Sequence, residues 1–154
     1  YDKRWMFEES LAMPFVIRWP GSIEPGSRPE ELIQNIDYAP TFLEMAGLPV
    51  PDEVQGHSVV PVLTEDPDLQ WRSSIYYAYY EVGEHNVPQH FGVRTRTHKL
   101  MYFPATDEWN MFDLVSDPEE MTSIYDEARY AGIKEELTAE LHRLQEHYEA
   151  PVIE

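Results

Sequence analysis

Gly92-Val93-Arg94-Thr95-Arg96-Thr97-His98-Lys99-Leu100-Met101-Tyr102-Phe103 is the stretch on which the C-terminal half turns. Gly92 opens it and Pro104 closes it, and it reads as one strand. Alternation along a single strand places Arg94, Arg96 and His98 on one face. Cations gathered that way in an acidic protein suit an anionic group held by charge-assisted hydrogen bonds. A solvated face paired with nearby carboxylates fits the same pattern.

Working outward, residues 75–81 are aromatic and strand-like, and residues 109–114 form a third strand stopped by Ser116-Asp117-Pro118. Three strands with short connections predict an antiparallel sheet. Beyond them, Ile133, Leu137, Leu141, Leu144 and Tyr148 recur at helical spacing, with Glu135, Glu136, Glu140 and Glu146 mostly off the stripe. That is an amphipathic helix, ended by Pro151 and expected to lie across one face of the sheet.

Toward the N-terminus, residues 13–19 are a short apolar run closed by Pro20-Gly21. Their length and Val/Ile content predict a buried strand with Pro14 at its start. Residues 22–29 read as a loop. Asp37 is placed to N-cap a helix over residues 38–46, with Pro40 in its first turn and Gly47 at the C′ position. Residues 49–63 read as an irregular, Pro-rich surface stretch.

The 154 residues carry 29 acids against 11 Lys and Arg, a net charge of −18. This excess argues against nucleic acid and anionic membranes as partners, because both are bound by neutralising negative charge with Lys and Arg. No apolar run is long enough for a transmembrane helix. With no Cys, the chain holds no disulfide, thiolate metal site or cysteine nucleophile.

No complete catalytic constellation stands out from the residues alone. His85 and His90 stand five apart in a Pro-containing loop, which is not helical ligand spacing, so they read as surface residues and no metal site is assigned. His142 and His147 read as solvent-facing. Glu8-Glu9 and Glu119-Glu120 are acidic pairs, but sequence neighbours do not converge on one face, so neither is a general acid/base pair.

The order of four weak motifs is more specific than any one of them. Lys3 is followed by Phe7-Glu8 and, six residues after Glu8, by Pro14 opening an apolar run. Then come Asp37-Tyr38-Ala39-Pro40-Thr41 and Gly56-His57-Ser58 with Pro61 and Leu63. Gly92-Val93-Arg94-Thr95, Lys99-Leu100, Phe112-Asp113-Leu114, Asp117-Pro118 and Glu120 close the series. Together they cover nearly the whole chain and resemble the C-terminal part of the type I, formylglycine-dependent sulfatases. Bacterial glycan sulfatases of the N-acetylglucosamine-6-sulfatase-like group are the nearest in kind.

The resemblance implies an α+β fragment of an α/β alkaline-phosphatase-like fold, with a C-terminal antiparallel sheet packed by a long terminal helix. Residues 1–63 would end the large domain and residues 64–154 would form the C-terminal subdomain. It implies hydrolysis of sulfate esters on a glycan, with calcium and formylglycine held by residues absent from this chain, so the chain alone is expected to be inactive. Lys3 matches the family's sulfate-contacting Lys. His85, His90 and Arg94 are the candidates for substrate binding, with Tyr79 or Tyr80 stacking on a sugar ring. A periplasmic or secreted location follows from the same resemblance. The competing readings are a phosphonate monoesterase or phosphodiesterase of the same superfamily, and a non-catalytic glycan-binding module. The apolar run at residues 13–19 is expected to promote self-association.

Overall fold

The computed structural model describes residues 3–83 and 85–151. In chain order they form α1 (Glu8–Leu11), α2 (Tyr38–Met45), α3 (Val60–Leu63), β1 (Ser74–Tyr79), β2 (His90–Thr95), β3 (His98–Phe103), β4 (Glu108–Asp113) and α4 (Ala131–His147). They divide into two compact units, residues 15–73 and residues 1–14 with 74–154, whereas the expected boundary lay after Leu63.

In the larger unit the four strands make one antiparallel meander in the order β1-β2-β3-β4. The stretch 92–103 is therefore not one strand but a hairpin that turns at Arg96-Thr97. The turn is held by Thr95, whose Oγ1 accepts the His98 N–H at 3.0 Å. Gly/Pro punctuation marked only the outer ends, and Thr carries no comparable turn signal. The consequence for side chains is large. Arg94 pairs in register with Lys99 across the hairpin, Arg96 is exposed in the turn, and His98 passes to the opposite face beside Tyr130. The expected single row of Arg94, Arg96 and His98 does not exist.

Alternation then sorts the sheet. Val93, Leu100 and Met111 point to one face and pack with Leu137, Leu141 and Leu144 of α4, as the helical stripe predicts. Gly92, Met101, Phe103 and Phe112 belong to the other face, covered by Met6 with Trp5, Phe7 and Leu11. Both faces are thus buried. Gly92 sits where the layers come closest: a Cβ there would lie 2.2 Å from the Leu100 carbonyl oxygen and 2.7 Å from Met6 Sδ.

In the smaller unit, α2 ends as predicted. Gly47 has φ +68°, the Gly47 N–H donates to the Glu44 carbonyl at 2.9 Å, and the Leu48 N–H to the Leu43 carbonyl at 2.9 Å. Asp37, by contrast, makes no side-chain cap to α2. Its buried carboxylate reaches back to the Gln34 N–H at 2.7 Å and accepts the His57 N–H at 2.9 Å. It also takes a bidentate pair from Arg72. Gly56 is required beside it, since a Cβ would meet the Ile36 carbonyl oxygen at 2.0 Å.

Residues 13–19 form no strand. Met13 is 51% exposed and Val16 92% exposed. A strand exists only through a ladder, and among the described residues none pairs with this stretch. Among the described residues, no helix is long and apolar enough to cross a membrane.

Candidate functional site

Residues 3–11 lie along the sheet face opposite α4, and successive side chains anchor them. Trp5 stacks on the His90 ring with centroids 5.6 Å apart. Met6 is fully buried, and Phe7 meets Phe112 edge-on at 6.1 Å. Tyr77 Oη donates to the Arg4 carbonyl at 2.5 Å. Lys3, the expected sulfate contact, is exposed at the start of this fastened segment.

Arg4 and His85 meet next to it. Arg4 Nη2 lies 2.7 Å from His85 Nε2, and His85 Nδ1 lies 2.5 Å from Glu81 Oε1. A guanidinium only donates and a carboxylate only accepts, so His85 takes Arg4 on Nε2 and donates from Nδ1 to Glu81. Tyr79 Oη donates to the second Glu81 oxygen at 2.6 Å. Hydrogen bonds from Tyr79 and His85 hold the Glu81 carboxyl below the usual carboxylate range. His85 therefore sits on an exposed polar edge with both ring nitrogens engaged.

His90 is placed differently. It is fully buried among Trp5, Tyr77, Tyr79 and Phe103. The reading of it as a loop-surface residue is corrected: it is the first residue of β2, and its ring points under the N-terminal segment. Its Nδ1–H donates to the Pro88 carbonyl at 2.8 Å, which leaves Nε2 as an acceptor with no partner among the described residues. Burial lowers its pKa more than the Pro88 carbonyl raises it. Tyr79 is tied to Glu81, and Tyr80 is 41% exposed.

Arg94 lies further along the same face, its guanidinium committed to Glu8. Its Nε and Nη2 reach Glu8 Oε1 and Oε2 at 3.1 and 3.0 Å, and Nη1 donates to the Thr95 carbonyl at 2.9 Å. Lys99, fully buried, sits beside it with Nζ 2.8 Å from Glu8 Oε1 and 2.6 Å from Glu120 Oε1. The contacts are close ion pairs, although Lys99 Nζ and Glu120 Oε1 lie off the hydrogen-bond direction. Glu120 Oε2 accepts the Glu8 N–H at 2.6 Å. Burial pushes the Glu8 carboxyl up, but hydrogen bonds and charge from Arg94 and Lys99 outweigh it and the net shift is down.

The structure brings Lys3 and His85 to one exposed region, buries His90 and commits Arg94 to Glu8, and sequence reading singled out neither Arg4 nor Glu81. Glu8, Lys99 and Glu120 carried a signal only as members of the family motifs, which say nothing of what their side chains touch. Among the described residues, no group of three or more His, Asp or Glu is arranged to hold a metal ion.

Comparison with known proteins defines the class. Residues 1–147 match the family described as N-sulphoglucosamine sulphohydrolase, C-terminal. The chain belongs to that sulfatase family. It is 43% identical over 152 residues to an N-acetylglucosamine-6-O-sulfatase of Bacteroides thetaiotaomicron, covering 96% of this chain and 27% of that protein. It superposes with a TM-score of 0.91 and 44% identity on a protein solved in complex with its substrate D-glucosamine-2-N,6-O-disulfate, covering 96% of this chain and 31% of that one. A phosphonate monoester hydrolase from Silicibacter pomeroyi gives a TM-score of 0.71 at 23% identity, over 84% of this chain and 28% of that one, and shares the fold. The sheet with its C-terminal helix is thus the C-terminal part of an alkaline-phosphatase-like fold. The chain spans about a quarter of the curated relative's length.

Proposed function

We propose that this chain is the C-terminal part of an enzyme that hydrolyses sulfate esters on a glycan, a 6-O-sulfated glucosamine unit being the favoured substrate. The observation that carries this reading is the 43% identity to an N-acetylglucosamine-6-O-sulfatase sustained over 96% of the chain. A structural relative at TM-score 0.91 was solved with a sulfated glucosamine as its substrate.

In this reading Lys3 contacts the sulfuryl group. Negative charge grows on its oxygens and on the leaving oxygen in the transition state, and a fixed ammonium stabilises that state more than the ground state. The Arg4–His85–Glu81 edge lies beside it, with Arg4 as its cationic member. Formylglycine and calcium belong to this reading of the whole enzyme. Among the described residues no cluster of His, Asp or Glu is arranged to hold the metal. A periplasmic or secreted enzyme, meeting glycans outside the cytoplasm, fits the same reading.

The test is sulfate release from N-acetylglucosamine-6-sulfate by the full-length protein that carries this chain, with Lys3→Ala beside it. Release by the wild type and a fall of about 10²-fold or more in kcat for the variant are expected. Preference for a phosphonate monoester, or sugar binding with no sulfate release, would replace this reading.

A further inference from the structure

Lys3 works only if its backbone is held still, and the ion pair next to it, Arg4 to Glu81 at 3.7 Å, is long and part-exposed, so a buried anchor is still needed. That task falls five residues on, to Glu8. Its carboxylate bridges Arg94 and Lys99, which stand directly opposite each other on β2 and β3. Like charges directly opposite on one sheet face repel. Glu8 and Glu120 supply the two negative charges that make the pair tolerable, and Lys99 and Glu120 are buried. Glu120 also fastens Glu8 by its backbone N–H, at 2.6 Å. It does so with φ +55°, a left-handed conformation that costs a non-glycine residue energy and persists only when its surroundings enforce it.

A hydrophobic patch would seal residues 3–11 to the sheet without fixing their register along it. Trp5, Met6 and Phe7 are such a patch, and their apolar contacts carry no bond direction. The bidentate fork from Arg94 to Glu8 does fix register, because each of its two bonds has a direction and a length. We propose that Glu8, Arg94, Lys99 and Glu120 form a register clamp, and that they are positioning residues for Lys3. Arg94 thereby acts on the reaction through the N-terminal segment and not through contact with the sugar. This inference rests on the sulfate-contact reading of Lys3.

The experiment is a double-mutant cycle in the full-length protein with N-acetylglucosamine-6-sulfate: Lys3→Ala, Glu8→Gln and the pair together. Glu8→Gln alone should lower kcat on the order of ten- to a hundred-fold with a smaller change in KM, as misplacement by about 1 Å does. The double variant should fall no further than Lys3→Ala, because a clamp has nothing left to position. Hydrogen exchange of residues 4–11 should rise in Glu8→Gln while the amides of β3 stay protected. Arg94→Lys keeps the charge but loses the fork, and should show the same non-additive loss in milder form; it stands in if Glu8→Gln does not fold. Losses that multiply in the double variant would overturn the clamp as a positioning device, as would an unchanged kcat in Glu8→Gln with raised exchange at residues 4–11. A Lys3→Ala variant with full activity would instead remove the sulfate-contact reading, and the clamp's catalytic role with it.

Discussion

Arg94 and Lys99 face each other across the β2–β3 hairpin, two cations in register, and the carboxylate they share belongs to a residue more than eighty positions earlier in the chain. This one relationship ties the N-terminal segment to the C-terminal sheet, and several measurable properties follow from it.

Removing one partner from such a group should cost far more than the group contributes as a whole. Lys99→Met leaves the fully buried Glu120 carboxylate without its ammonium. A loss of about 3–5 kcal/mol is expected in denaturant unfolding. Replacing Lys99 and Glu120 together by apolar residues of similar size should recover much of it. Equal losses in the single and double variants would mean that the ion pair is not what stabilises this region.

Stability should fall in two stages as the solution is acidified. Burial holds the folded His90 pKa below its ordinary 6.5, so the unfolded chain binds a proton that the folded chain refuses. That stabilisation is complete above pH 6.5 and lost as pH falls through the lowered value. Glu8, lowered from 4.5, adds stabilisation that is complete above pH 4.5 and lost as pH falls through its own folded value. Denaturant midpoints across this range should show the upper stage vanish in His90→Gln and the lower stage shrink in Glu8→Gln. An upper stage that survives His90→Gln belongs to another group.

Gly92→Ala should destabilise by more than the loss of glycine's flexibility could return. The new methyl group would overlap the Leu100 carbonyl and Met6 Sδ, and backbone cannot step aside as a side-chain tip can. A cost of about 1–3 kcal/mol is expected from overpacking. Gly132→Ala is the control, since nothing lies near its Cβ position, and it should be neutral or mildly stabilising in α4. Thermal melts of the two variants give the comparison.

The isolated 154-residue chain should self-associate. Met13 and Val16 are 51% and 92% exposed in a stretch whose composition is that of a core strand, and Phe42 and Leu48 are exposed in the same half of the chain. Sedimentation velocity should show mass rising with concentration, and Val16→Lys should reduce it. A monomer at all concentrations would show that this exposed apolar surface does not support association.

Periodicity alone established the α4 stripe, the stop at Gly47 and the presence of an antiparallel sheet, because those depend on local spacing and on backbone preferences that neighbouring residues set. The Asp37-Pro40-Thr41 and Lys3-Glu8-Pro14 motifs also stood out, although not what their side chains touch. What only the tertiary structure decided was which distant residues meet. Glu8-Glu9 and Glu119-Glu120 were dismissed because adjacent carboxylates diverge, and they do; yet one member of each pair converges on Lys99 once residues 3–11 lie on the sheet. His90 reads as an exposed loop residue until Trp5 arrives to cover it. The 92–103 hairpin hid as one strand because a two-residue turn without Gly or Pro leaves no local mark, and its reversal sends His98 to one face and Arg94 to the other. Burial and ion pairing depend on surfaces brought together from far apart in the chain, and no window of sequence contains both sides of such a contact.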